Sequence, residues 1–191
     1  MKNVFKMPTP VKITGRTSTI TNAFINGIIP VIEPSENEID DALRTLGMTR
    51  ETICCAYCGD VYTEWDHFRP LVVNKRPTGY ISEIHNLVPS CGKCNQSKGN
   101  KEWNQWIYSD AMLSPKSRQV ADLDMRVERL RAYELIYEPL KYNFEEIIGS
   151  ELWQKHWSNH DHLIGLMKEC QITSDYIKQR LFDGINKSIR G

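Results

Sequence analysis

The clearest hydrophobic periodicity in the chain lies in residues 35–47. Apolar side chains recur there at intervals of three and four residues, as on one face of a helix, at Ile39, Ala42, Leu43 and Leu46. Ser35 and Glu38 fit a capping box at the start of this segment, and Gly47 is a typical helix end. The pattern therefore predicts an amphipathic helix that packs on the segment that follows it.

The next segment has the composition of two strands and a helix. Residues 61–69 are rich in Val, Tyr, Thr and Trp, which favour strands. Residues 74–79 contain proline and glycine and are predicted to form a turn. Residues 80–88 form the second predicted strand, and a helix is expected to open near Asn95.

Helices are predicted on both sides of this segment. Residues 18–29 favour a short helix. In the C-terminal half, apolar residues share one helix face until Pro139 ends it: Val120, Leu123, Val127, Leu130 and Ile136. Two further helices are predicted at residues 150–167 and 174–189.

Further expectations concern the N-terminal residues, the tryptophans after the predicted helix, and membrane insertion. Residues 1–17 contain two prolines and four basic residues, and they favour either an extended arm suited to a DNA groove or a disordered tail. Trp103, Trp106 and Ile107 are expected to anchor the core rather than to stack on bases. No apolar run reaches about 18 residues and no secretory signal is present, so no membrane span is expected.

The length of 191 residues allows one domain, or a small module with appended helices, and 40% hydrophobic residues suffice for a packed core. The 24 basic and 24 acidic residues balance, which gives no global support for nucleic-acid binding. The basic residues of segment 66–101 nevertheless outnumber Asp66 and Glu83: they are Arg69, Lys75, Arg76, Lys93, Lys98 and Lys101. This excess is either ordinary charge clustering or a surface that faces phosphates.

Four of the six cysteines form two Cys-x-x-Cys pairs, Cys55/Cys58 and Cys91/Cys94. Two such pairs within 40 residues favour one tetrahedral structural zinc ion, although a redox pair or buried thiols would have the same spacing. Cys54 and Cys170 are left as reduced thiols, which fits a cytoplasmic setting. Cys54 is an alternative ligand, but only Cys55 has the two-residue spacing to Cys58.

Candidate catalytic residues lie between and just after these pairs. Cleavage of a phosphodiester needs a water nucleophile, a base to deprotonate it and a cation for the developing charge. His67, with an ordinary pKa of about 6.5, suits the base. Asp66 and Asn95 offer the oxygen ligands that Mg²⁺ prefers, whereas sulfur selects zinc.

The run C-x-x-C, D-H, N-L, C-x-x-C-N-x-x-K-G resembles the HNH endonuclease family, whose fold is the ββα-metal motif, and it covers about a quarter of the chain. The resemblance implies that Asp66 and Asn95 bind a catalytic Mg²⁺ or Mn²⁺, and that His67 is the general base at the end of the first strand. It places Asn86 on the second strand, where it holds the His67 loop. The chain has H-N-N where many members have H-N-H. The predicted DNA phosphate contacts are Arg69, Lys93, Lys98 and Lys101.

The sequence therefore predicts an α+β fold with a zinc-stabilised ββα-metal core at residues 51–110. Residues 1–50 form an N-terminal arm and helices, and residues 111–191 a C-terminal helical region. The predicted function, implied by the resemblance, is metal-dependent cleavage of double-stranded DNA to 5′-phosphate and 3′-hydroxyl ends, most like a standalone type II restriction enzyme. The alternatives are a nuclease effector of another anti-phage defence system and a zinc-dependent nucleic-acid-binding module that does not cut.

Two further predictions concern the histidines and the apolar residues of the C-terminal region. His156, His160 and His162 lack an acid or cysteine that would complete a metal site, so they are predicted to be surface or interface residues. A homodimer through the helical flanks is expected from the surplus of apolar residues: Trp153, Trp157, Leu163, Leu166 and Met167. The alternative is that these residues bury one another within a monomer.

Overall fold

The computed structural model describes residues 5–190, and their contacts form two compact units. One unit contains residues 25–143. The other combines the chain up to Phe24 with the chain from Phe144 onwards. Residues 25–50 and 111–143 thus belong to the same unit as the segment between them, and the three-part division at residues 50 and 110 stays a prediction.

The helix predicted from the first hydrophobic pattern is α2 (Glu36–Thr45), which follows α1 (Thr17–Asn26). The predicted capping box is confirmed: the Glu38 amide donates to Ser35 Oγ at 3.3 Å, and the Ser35 amide donates to the Glu38 carboxylate at 2.7 Å. Gly47 follows with a φ of 71°, a left-handed conformation that glycine adopts without steric cost. Ala42 and Leu43 are buried, so the apolar face contributes to the core.

A ββα arrangement follows, and it confirms the predicted α+β core. Strand β1 (Glu64–His67) pairs antiparallel with β4 (Leu87–Ser90), with Asp66 opposite Val88 and His67 opposite Leu87. Helix α3 (Gly92–Lys98) begins directly after β4. The connection between β1 and β4 contains a short hairpin and a 3₁₀ helix. The hairpin pairs two strands of two residues each, β2 (Val72–Val73) and β3 (Arg76–Pro77), and the 3₁₀ helix covers Ile84–Asn86.

Several of the predicted boundaries of these elements were wrong. The first strand, predicted at residues 61–69, covers only Glu64–His67. The second strand starts at Leu87 instead of residue 80, because the backbone of Ser82 pairs with residues 30–32 and not with β1. Helix α3 starts at Gly92 instead of near Asn95, with Cys91 as its N-cap. Asn95 therefore lies one turn inside the helix.

The core of this unit is built around aromatic side chains. Trp103, Trp106 and Ile107 on α4 (Trp103–Ile107) are at most 1% exposed, which confirms them as core anchors. The Phe68 ring stacks on Trp103 at 5.1 Å between centroids. Helix α5 (Leu123–Ile136) covers the core with Val127, Leu130 and Tyr133, and it ends before Pro139 as predicted.

The other unit is dominated by one long helix. Helix α6 (Phe144–Ile148) leads into α7 (Ser150–Arg190), which replaces the two helices predicted at residues 150–167 and 174–189. The residues between the predicted helices include neither glycine nor proline, so nothing in the sequence interrupts the helix. Residues 5–12 form neither helix nor strand, and residues 1–4 of the predicted arm lie outside the described residues.

Two of the three histidines of α7 make contacts within this unit, and the third does not lie in the core. His160 is buried and its Nε2 lies 3.0 Å from Thr21 Oγ1, and His156 Nε2 lies 3.2 Å from the Phe24 carbonyl. His162 is exposed. Within residues 5–190, no helix combines the length and the apolar composition needed to cross a bilayer.

Candidate zinc centre and HNH site

The four paired cysteines form one cluster. The sulfur atoms of Cys55, Cys58, Cys91 and Cys94 all lie within 4.8 Å of one another. Cys58 Sγ and Cys91 Sγ are 3.7 Å apart, and a tetrahedral zinc with Zn–S bonds of about 2.3 Å separates its sulfurs by about 3.8 Å. The donor set and its spacing therefore fit zinc, and Cys55 rather than Cys54 belongs to the cluster.

Backbone hydrogen bonds join this cluster to the sheet. The Cys55 amide donates to the Asp60 carbonyl and the Gly59 amide to the Cys55 carbonyl, each at 2.8 Å, which closes the first knuckle. Gly59 has a φ of 81°, which this turn requires. The Ala56 amide donates to Pro89 on β4 at 2.8 Å. The thiol cluster and β4 thus position the same loop.

Arg118 is a neighbour of the cluster that the sequence analysis missed. Its Nη2 donates to Cys94 Sγ at 2.8 Å, and its Nη1 lies 3.5 Å from the Asp60 carboxylate. Hydrogen bonds with the Cys55 and Cys94 thiols, and with the Arg118 guanidinium, lower the pKa of the Cys58 thiol. These bonds favour the thiolate, which is the form that binds zinc.

Asp66 is 5% exposed, and among the described residues only one of its carboxylate oxygens has a hydrogen-bonding partner. Its Oδ2 accepts a hydrogen bond from Tyr57 Oη at 2.7 Å and lies 3.1 Å from Lys98 Nζ. Burial raises the pKa of Asp66, and the Lys98 charge and the Tyr57 hydrogen bond oppose that rise. Oδ1 has no hydrogen-bond partner among the described residues and is not sealed from solvent, so it is free to bind a cation.

The predicted phosphate contact from Lys98 is wrong, because this side chain is completely buried. Lys98 Nζ donates to the His67 carbonyl at 2.7 Å and pairs with Asp66. Burial lowers the pKa of Lys98, and the Asp66 carboxylate counteracts that change. Lys98 therefore holds the Asp66–His67 segment from inside the protein.

His67 is the last residue of β1, where the resemblance placed it. Its Nε2 lies 2.8 Å from Ser82 Oγ, and Nδ1 makes no hydrogen bond to the described part of the chain. Burial, with a smaller contribution from the Lys98 charge, lowers the pKa of His67 to about 4. The imidazole is therefore neutral at pH 7, and Nδ1 can accept a proton in the tautomer that carries its hydrogen on Nε2.

Asn86 lies at the end of the 3₁₀ helix, just before β4, and not on the strand as predicted. It is completely buried. Its side chain bonds to both backbone polar atoms of Arg69, and its own carbonyl accepts a hydrogen bond from the Phe68 amide at 2.8 Å. These contacts hold the chain directly after His67.

Asn95 projects from α3 on the turn that follows Cys91, and its amide donates to the Cys91 carbonyl at 3.0 Å. The side chain is half-buried and makes no hydrogen bond to a residue that the structure describes. Its amide oxygen is therefore available as a ligand.

The other predicted phosphate contacts differ in their availability. Arg69 forms ion pairs with Glu102 at 2.7 Å and with Glu134, and its contact to a phosphate stays a prediction. Lys93 and Lys101 are exposed, and their contacts to DNA stay predictions.

Comparison with known proteins identifies the domain. Residues 55–101 match the family described as HNH endonuclease, the region that contains both cysteine pairs, Asp66, His67, Asn86 and Asn95. These residues therefore form an HNH endonuclease domain, which confirms the expected family.

One relative of this chain is the CRISPR-associated endonuclease Cas9 of Corynebacterium diphtheriae, which is 37% identical over 76 residues. The aligned region covers 38% of this chain and 7% of that protein. No solved structure matches the chain.

Proposed function

We propose that this protein is a metal-dependent endonuclease that cleaves double-stranded DNA. The observations that support this most directly are the carboxylate oxygen Oδ1 of Asp66, which has no hydrogen-bond partner among the described residues, and the neutral imidazole of the next residue, His67. A zinc module that only bound nucleic acid would need neither group. The HNH family match over the same residues supports the same activity.

The catalytic residues are proposed to act as follows. Asp66 Oδ1 and the Asn95 amide oxygen are hard donors that suit Mg²⁺ or Mn²⁺. A divalent cation bound there supplies positive charge for the phosphate oxygens. His67 Nδ1 accepts a proton from water, whose oxygen bonds to phosphorus while the bond from phosphorus to the 3′ oxygen breaks, and the departing 3′ oxygen takes up a proton from solvent. The products are a 5′-phosphate and a 3′-hydroxyl.

Two biological settings remain, and the proposal favours a type II restriction enzyme. The segments on both sides of the HNH domain would supply the sequence recognition that a restriction enzyme needs. The second setting is a nuclease effector of another anti-phage defence system, and the similarity to a CRISPR-associated endonuclease favours it.

The proposal includes a homodimer, because one HNH site attacks one strand and a two-fold dimer places two sites on opposite strands. Trp157 is buried and is not a candidate for the interface. Helix α7 still exposes several large apolar residues over its second half: Ile172, Ile177, Leu181, Phe182 and Ile185. A second copy of this helix would cover them.

Cleavage of supercoiled plasmid tests the activity. We expect nicked and then linear DNA with Mg²⁺ or Mn²⁺ and no cleavage in EDTA. Ligation of the products by DNA ligase without further treatment checks for 5′-phosphate and 3′-hydroxyl ends. Absence of cleavage with every divalent cation would contradict the nuclease proposal.

Sequencing of the cut ends from a random-sequence plasmid library separates the two settings. Ends at one fixed, symmetric sequence support a restriction enzyme. Scattered ends support a non-specific effector.

A further inference from the structure

The buried Tyr57 lies inside the first Cys-x-x-Cys knuckle, between Ala56 and Cys58, and the mechanism above does not use it. Its ring packs edge-on against Trp106 with 5.2 Å between the ring centroids. A buried tyrosine hydroxyl needs a hydrogen-bond partner. Here the partner is Asp66 Oδ2, at 2.7 Å, and not a backbone carbonyl.

The position of Tyr57 is set by the zinc knuckle. Cys55 and Cys58 on either side of it belong to the thiol cluster. The Ala56 amide bonds to Pro89 on β4, the strand that also pairs with β1 at Asp66. The loop that presents the Tyr57 hydroxyl is therefore held both by the cysteines and by the sheet that contains its target.

The two oxygens of the Asp66 carboxylate therefore have different surroundings. Tyr57 Oη and Lys98 Nζ both contact Oδ2, whereas Oδ1 has no partner among the described residues. Two donors on one oxygen fix the rotation of the carboxylate, so that Oδ1 keeps one direction. Groups that orient a metal ligand in this way affect metal affinity although they do not touch the metal.

We infer that Tyr57 is a positioning residue that holds Asp66 in the orientation that binds the catalytic cation, and that it links the zinc knuckle to the nuclease site. This inference rests on the proposed function. Lys98 is the second donor, but it also bonds the His67 carbonyl, so only Tyr57 acts on Asp66 alone.

The test is the variant Tyr57→Phe, which removes one oxygen atom and keeps the ring. Its Mn²⁺ affinity is measured by electron paramagnetic resonance on zinc-loaded protein, in which Cys₄ coordination leaves the zinc site closed. We expect affinity to fall by about 10–100-fold, the usual effect of losing a partner of a metal ligand. Zinc content and the circular dichroism spectrum should match the wild type.

Tyr133→Phe is the matched control. Tyr133 is equally buried, but its hydroxyl bonds the backbone carbonyls of Ile84 and Leu87 (2.9 Å to the latter) instead of a carboxylate. Loss of the Tyr133 hydroxyl should leave the Mn²⁺ affinity unchanged. Insertion of p-aminophenylalanine at position 57, which retains a donor, should recover part of the affinity that Tyr57→Phe loses.

Cleavage provides a second measurement. The Tyr57→Phe protein should need a higher Mn²⁺ concentration for half-maximal nicking and should approach the wild-type rate at saturating Mn²⁺.

Mn²⁺ binding by Tyr57→Phe that equals the wild type would overturn the inference and leave the proposed nuclease intact. A wild-type protein that binds no Mn²⁺ and cuts no DNA would overturn both. An equal loss of affinity in Tyr133→Phe would also overturn the role of Tyr57, because the effect would then follow from any buried hydroxyl.

Discussion

Asn86 bonds both backbone polar atoms of Arg69. Its Oδ1 accepts from the Arg69 amide at 2.7 Å, and its Nδ2 donates to the Arg69 carbonyl at 3.2 Å. The same Nδ2 also donates to the Ile81 carbonyl at 3.2 Å. One side chain therefore joins the chain after β1 to the segment that leads into β4, and it does so two residues from His67.

Substitution of Asn86 by alanine should destabilise the protein. Each buried polar group that loses its partner costs about 1–3 kcal/mol, and Asn86→Ala leaves the Arg69 amide and two carbonyls without theirs. We expect the free energy of unfolding, measured with urea, to fall by about 3 kcal/mol. Asn104→Ala, at an exposed position on α4, is the control. Equal stability of the two variants would contradict this account of Asn86.

His67→Ala should abolish cleavage and leave folding nearly intact. A general base contributes on the order of 10²–10⁴ to the rate and is needed only in the reaction. Plasmid nicking, a gel-shift assay and the melting temperature measure the three properties. His162→Ala, on the exposed side of α7, should cut at the wild-type rate. A His67→Ala protein that cuts normally would exclude His67 as the base.

Purified protein should contain about one zinc per chain, held by the four clustered cysteines. Zinc binding in small modules contributes on the order of 10 kcal/mol to folding, so Cys91→Ser or chelation should unfold the core. Cys54→Ser and Cys170→Ser should have little effect, because both lie outside the cluster. Elemental analysis and circular dichroism measure the outcome. Folded, active protein without zinc would refute the site.

Arg118→Met should weaken zinc binding without removing a ligand. The guanidinium bonds Cys94 Sγ, and loss of such a partner lowers metal affinity by about 10–100-fold. Competition with a chromogenic chelator measures the affinity. Lys116→Met, two residues earlier, removes a charge that pairs with Asp110 and should not change zinc binding. If both variants lose zinc affinity equally, the loss of a positive charge explains the weaker binding, and the hydrogen bond to Cys94 does not.

Charged substitutions on the second half of α7 should break the proposed dimer. Ile177, Leu181 and Ile185 recur every fourth residue and are 53–60% exposed. The double variant Leu181→Glu with Ile185→Glu should be monomeric in light scattering, and it should nick plasmid while losing the linear product. Gln179→Glu changes charge on another face of the helix and is the control. A wild-type protein that stays monomeric on DNA would rule out the dimer.

The sequence was most informative where a local pattern determines the structure. The capping box at Ser35, the spacing within each cysteine pair and the dipeptide Asp66-His67 each depend on neighbouring residues. The structure has the capping box, one cluster of the four cysteines, and His67 at the end of β1. The start of β4 could not be predicted in this way. It depends on a backbone pairing of Ser82 with residues 30–32, which lie 50 to 52 positions earlier in the chain.

Charge was the least reliable guide. Lys98 and Arg69 count as basic residues near the site, but both are held by acidic partners inside the unit: Asp66, Glu102 and Glu134. No sequence pattern pointed to Arg118 as a neighbour of the cysteine cluster, because it lies 24 residues from Cys94, the cysteine that it contacts. Sequence composition counts charges, but only the fold decides which of them face solvent.

The division of the chain has a consequence for its synthesis on the ribosome. The unit formed by residues 25–143 is contiguous, whereas the other joins residues up to Phe24 with residues from Phe144 onwards. Thr21 meets His160 only after 139 further positions have been translated. At about 5–20 residues per second, residues 144–160 take roughly 1–3 s. During that time the nascent chain already carries every residue of the 25–143 unit, while its first segment still lacks its helical partner.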